Sequence, residues 1–118
     1  MRSVAREGLS TVSLEFRIWN EVGAEVEKVR ELKDDDSASM EEAFEAYLGQ
    51  AYMVAGSLEE FAEGGGEVPE DIREDTELHA EFVLDSLWRY GENDKMGKML
   101  EKAGGTVRFM LSLVNPEQ

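Results

Sequence analysis

The chain has 118 residues, 42% of them hydrophobic, which suits one domain with a real core. It has no cysteine, so disulfides and thiolate metal sites are excluded, and no apolar run nears the roughly 18 residues that cross a bilayer. Its net charge of −15, from 12 basic and 27 acidic side chains, disfavours direct contact with nucleic acid or an anionic membrane. The opening MRSVAREGLS lacks the apolar stretch of a secretory signal. The expected location is therefore cytoplasmic, in the cell that makes the protein or in a host cell.

Three breakers, KDDDSAS (33–39), EGGGEVP (63–69) and GEND (91–94), divide the chain into four segments. The first holds an ambiguity. In STVSLEFRIW, Val12, Leu14, Phe16 and Ile18 alternate with polar residues as in a half-buried strand, yet Val12, Phe16 and Trp19 also share a helix face. The alternation stops after Trp19. The helical spacing continues from Ala5 through Leu9, Val12, Phe16, Trp19, Gly23 and Val26 to Arg30, with no turn signal inside it. Residues 4–33 therefore read as one long helix, weakened at Gly23 by up to about 1 kcal/mol.

The second segment places Met40, Phe44, Tyr47, Ala51, Ala55, Leu58 and Ala62 on one stripe, with Ser39 and Glu42 as a capping box. The third starts at Pro69, aligns Ile72, Thr76, His79, Val83, Leu87 and Tyr90, and closes at Gly91. In the fourth, Asn93 caps a helix whose stripe is Met96, Leu100, Ala103, Val107, Met110 and Val114. TVRFMLSLV (106–114) alternates as well and follows Gly104-Gly105, a pair costing roughly 2 kcal/mol inside a helix. The expected fold is thus all-α: a single domain, residues 1–118, forming an antiparallel four-helix bundle with consecutive helices side by side. The alternative is α+β, with 11–19 and 106–114 pairing as terminal strands.

No motif fixes a reaction. His79, the only histidine, has Asp75 one turn before it, which suggests half a metal site or an acid/base pair. The plainer expectation is a core-edge histidine bonded to a carboxylate. A di-iron bundle needs a second Glu-x-x-His, and Thr76 stands where the first glutamate would be. Glu42-Ala-Phe-Glu45 and Glu74-Asp-Thr-Glu77 resemble the Glu-x-x-Glu pair with which all-α nucleotide pyrophosphohydrolases hold Mg²⁺. That family's later Glu-x-x-Asp pair has no counterpart: Glu31-Leu-Lys-Asp34 comes too early, and Glu81…Asp85 is one residue too long. The glycines at 64–66 are followed by acids that would repel phosphate. No serine nucleophile has a readable histidine partner. Five of the six methionines, at 40, 53, 96, 99 and 110, suit core filling more than a binding groove. Small residues on the second helix, among them Gly49, Ala51, Ala55 and Gly56, suit packing against bulky partners such as Trp19 or Trp88.

The charge is uneven. Residues 1–33 are net neutral, 34–94 carry 19 acidic and two basic side chains, and 95–118 are net +2. Laid along one side about 36 Å long, 19 carboxylates approach the charge spacing of duplex DNA. Glu59, Glu60 and Glu63 also crowd a helix C-terminus, where the dipole disfavours anions. These features select a non-enzymatic protein that binds a basic surface on another macromolecule, with nucleic-acid mimicry as one form of that binding. An inhibitor, a viral accessory factor and a subunit of a larger assembly all fit. The candidate contact residues are Glu41, Glu45, Glu59, Glu60, Glu63, Glu70, Asp71 and Glu74. Neither cofactor nor metal is expected, and self-association is expected through the near-neutral helices one and four. The alternative function is a small metal-dependent hydrolase using helix carboxylates.

Overall fold

The computed structural model describes residues 2–31 and 37–115. They form α1 (Arg2–Glu31), α2 (Ser37–Glu63), α3 (Glu70–Tyr90) and α4 (Asp94–Val114). No strand occurs among the described residues, and 11–19 and 106–114 are both helical, which overturns the α+β alternative. The reason lies in which residues need burial. Val12, Phe16, Trp19 and Val26 are buried, whereas Leu14 and Ile18, which a strand would have buried with Val12 and Phe16, stay exposed. At the other end, α4 runs unbroken through Gly104-Gly105. Gly104 faces α3, where a Cβ would stand 3.7 Å from Val83, an ordinary contact distance.

Capping departs from expectation at two helices. α2 begins at Ser37, which places Ser39 inside the first turn rather than at the cap. Pro69 is the N-cap of α3, one residue before the helix proper. Asn93 caps α4 as expected, its side chain accepting from the Met96 amide at 3.0 Å.

Consecutive helices run antiparallel. Along the α1–α2 seam, Gly8 lies beside Phe61 and Gly23 beside Tyr47. Glu15 bridges to α2 twice: its carbonyl accepts from Gln50 and its carboxylate from Ser57. The lateral order is not sequential, however. α2 lies between α1 and α4, α3 packs on α4, and α1 touches α3 only narrowly. α2 and α3 are therefore diagonal, as are α1 and α4, and the molecule is an elongated body of 52 × 26 × 19 Å. This corrects the expectation of an α2–α3 side and of a shared α1–α4 side.

Side-chain size explains the swap. Ala51 and Ala55 are buried on α2 and Ala103 on α4, and small residues on the inner faces of these parallel neighbours permit close approach. Across the core, Tyr47 meets Phe82 at 5.1 Å and Phe44 meets Tyr90 at 5.6 Å, and these rings prop α2 and α3 apart. The connecting turn allows the diagonal crossing because Gly65 adopts φ 84°, a conformation suited to glycine. Phe61 fills the space that a Cβ on Gly66 would need. Arg30 closes the narrow α1–α3 edge by donating to Asp85 at 2.9 Å. That hydrogen bond, aided by Arg89, holds the Asp85 carboxyl below the usual range.

Candidate functional site

The sole histidine is part of an internal polar relay. A polar side chain on a buried stripe must find hydrogen-bond partners. Tyr47 on α2 and His79 on α3 both lie on such stripes, and each satisfies the other. Tyr47 O–H donates to His79 Nδ1 at 2.7 Å, and His79 Nε2–H donates to Asn20 Oδ1 at 2.6 Å. Asn20 Nδ2 in turn donates to Asp75 Oδ2 at 3.3 Å. Asp75 thus reaches His79 only through Asn20, not directly as the one-turn spacing suggested. Trp19 stacks flat on the imidazole, 3.5 Å between ring centres and 4° from parallel.

Burial pushes the His79 imidazole down to about 4 and the Tyr47 phenol well above its usual range. Both ring nitrogens are occupied and the imidazole is held neutral. The relay fastens α1, α2 and α3 together and offers no open ligand position. Among the described residues no group of three or more histidine or carboxylate side chains could hold a metal ion. The relay was half legible in the sequence: Tyr47 and His79 were polar entries on apolar stripes. Asn20, beside the stripe, gave no signal.

Gly23 faces this cluster. A methyl group there would stand 3.6 Å from Tyr47 and 3.7 Å from His79, ordinary contact distances. Gly23→Ala is expected to stabilise the protein by about 0.5–1 kcal/mol, because glycine costs that much inside a helix. Urea unfolding should show a higher midpoint at unchanged slope. A lower midpoint would mean that the rings need the clearance.

The acidic candidates divide into two groups. Glu59, Glu60 and Glu63 end α2, and Glu70, Asp71 and Glu74 begin α3, so all six gather at one end of the bundle around the 64–69 turn. Glu67 adds a seventh carboxylate, and Arg73 is the only cation in the sequence from 59 to 74. Arg73 reaches Glu70 at 3.5 Å. Glu59 is half-buried and the other five are exposed. Glu70 and Asp71 sit in the first turn of α3, where the dipole favours anions. The α2 acids end a helix with no basic residue in its last turn, so local structure does not account for them.

Glu41 and Glu45 belong to the opposite end, about 20 Å further along α2. The diagonal placement of α2 and α3 also removes the single acidic side on which the duplex-like charge spacing depended. The two Glu-x-x-Glu pairs are separated likewise: Glu42, Glu45, Glu74 and Glu77 are all exposed, on diagonal helices.

Apolar residues supply a further surface that periodicity did not reveal. Met40, Met96 and Met110 are core residues and Met99 is half-buried, but Met53 is exposed. Trp19 is fully buried as a packing partner, whereas Trp88 is 89% exposed and packs against no α2 glycine. Comparison with protein families, curated proteins and solved structures finds no match.

Proposed function

We propose that the protein is a non-enzymatic acidic helical bundle that binds another protein through a basic surface on that partner. An inhibitor, a viral accessory factor or a subunit of a larger assembly would work this way. The observation that carries this reading is the convergence of six candidate carboxylates, with Glu67, on one end of the bundle, opposed within that segment by Arg73 alone. Exposed like charges gathered in this way raise the local concentration of a basic partner and speed its encounter. Outward-facing carboxylates favour this reading over a bundle hydrolase, which needs its acids turned inward around a metal.

A basic partner recovered from a native lysate provides the test. Its affinity should fall steeply with salt, because exposed charges act over only about 8 Å at physiological ionic strength. Reversing Glu59, Glu60 and Glu63 to lysine should slow association by about tenfold or more. Folding stability should shift by less than about 0.5 kcal/mol, as expected for surface positions. A partner whose binding ignores both salt and the triple reversal would show that the acidic end is only a solvated surface.

A further inference from the structure

α2 is unlike the other helices in having no charged residue between Glu45 and Glu59, although a third of the whole chain is charged. Only one stripe of this stretch is buried in the bundle. A helix apolar all round is normally covered all round. The uncovered side carries Tyr52 and Met53, 50% and 57% exposed. On α1, Leu14 and Ile18 are exposed on either side of Glu15, the residue that bonds α2. On α4, the exposed Phe109 shares a 450 Å³ groove with Tyr52, lined also by Gly56 and Gly105 and by the charged pair Glu59 and Lys102. One apolar face therefore crosses α1, α2 and α4, centred on α2.

The glycines sharpen this. Gly8, Gly23 and Gly104 lie against neighbouring helices, but a Cβ at Gly49, Gly56 or Gly105 would meet nothing within 4 Å. Packing within one chain gives no reason for these three, though each weakens its helix by about 1 kcal/mol. They leave shallow hollows on the same face as the exposed rings.

We propose that this face is the interface of a two-fold dimer, the occupant being a second copy of the chain with its α2 crossing antiparallel. The pattern along the exposed side of α2 is its own mirror image about the point between Tyr52 and Met53. Gly49 and Gly56 lie equally far from that point, and so do Glu45 and Glu60, and then Glu42 and Glu63; all are exposed. A two-fold contact requires this self-complementarity, since residue i meets j and j meets i. Around the axis, Tyr52 and Met53 of one copy enter the hollows at Gly49 and Gly56 of the other. The molecule is 26 Å across in its second dimension, and a strip of that width over the roughly 32 Å of α2 from Glu42 to Glu63 would offer about 800 Å², the area each partner contributes to a stable interface. The acid pairs form the rim, where a crossing angle carries the helix ends apart.

The salt response separates this contact from the proposed binding at the acidic end. Two copies of charge −15 repel, so screening should strengthen the dimer while it weakens capture of a basic partner. The test is sedimentation equilibrium of the full chain over a range of protein concentrations at low and high salt. The expected mass is twice 13.3 kDa, reached at lower concentration in high salt. Met53→Glu should leave the far-UV spectrum helical and weaken the dimer at least 100-fold. Met53→Cys, treated with oxidised glutathione as the oxidant, should form a covalent dimer, because both copies of this residue flank the axis. Should Met53→Glu unfold, Gly56→Arg, whose side chain enters open space in a single chain, gives the same reading. A monomer at every concentration and salt, or a dimer that survives both substitutions, overturns the proposal.

Discussion

Replacing Trp19 by alanine is expected to cost about 4 kcal/mol of folding stability, in the upper range for a buried aromatic residue. The indole has no solvent exposure. It stacks on His79, meets Phe16 edge-on at 5.7 Å and lies 5.4 Å from Tyr47. Its removal would leave a cavity against the relay that fastens three helices, and rigid rings cannot collapse into it. Trp19→Phe should cost only about 1–2 kcal/mol. Phenylalanine keeps a ring in place, and the indole Nε1–H it removes is buried with no hydrogen-bond partner among the described residues, so its loss offsets part of the lost packing. Urea unfolding of both variants near neutral pH checks the pair. A loss below about 2 kcal/mol for the alanine variant would show that the core relaxes around the site.

Lowering the pH from about 7.5 to about 5 is expected to remove about 2 kcal/mol of stability through His79 alone. The sign follows from linkage. Burial depresses the folded imidazole to about 4, whereas the unfolded side chain titrates near 6.5. Between these values the unfolded chain binds the extra proton, so stability is complete above about pH 6.5 and declines as pH falls towards 4. No other histidine contributes in this window. A His79→Gln variant should be less stable at neutral pH and should lose much less between pH 7.5 and 5. The proton NMR signal of the His79 ring should titrate near 4 in the folded protein. A midpoint near 6.5 would mean that the ring is solvated and the relay open.

Much of this architecture was legible because it is local. Helical spacing of apolar residues is set by the backbone period, so the stripes through Trp19, Tyr47, Val83 and Met110 identify four helices and their buried faces. Asn93 could be assigned as a cap because a side chain three residues from an unpaired amide has one evident use. His79 could be read as a core-edge histidine, since a buried imidazole must be bonded, but the carboxylate expected as its direct partner is replaced by a phenol and an amide. Its partners could not be named: Tyr47 and Asn20 lie 32 and 59 residues away.

Sequence alone determined the number, extent and inner faces of the helices, and the concentration of negative charge in the middle of the chain. Tertiary structure decided which helices are neighbours. Chain order favours α2 beside α3, but six linking residues with a left-handed glycine can cross a diagonal, and side-chain volume then chooses: small residues bring α2 to α4 while rings hold it from α3. That choice split the acidic block into an end cluster and two separate faces. It also left the charge-free side of α2 uncovered, between Leu14 and Ile18 on one flank and Phe109 on the other. Periodicity reports which face of a helix is apolar. It does not report which of two apolar faces the fold will bury, because that depends on the volumes the neighbouring helices bring to each seam.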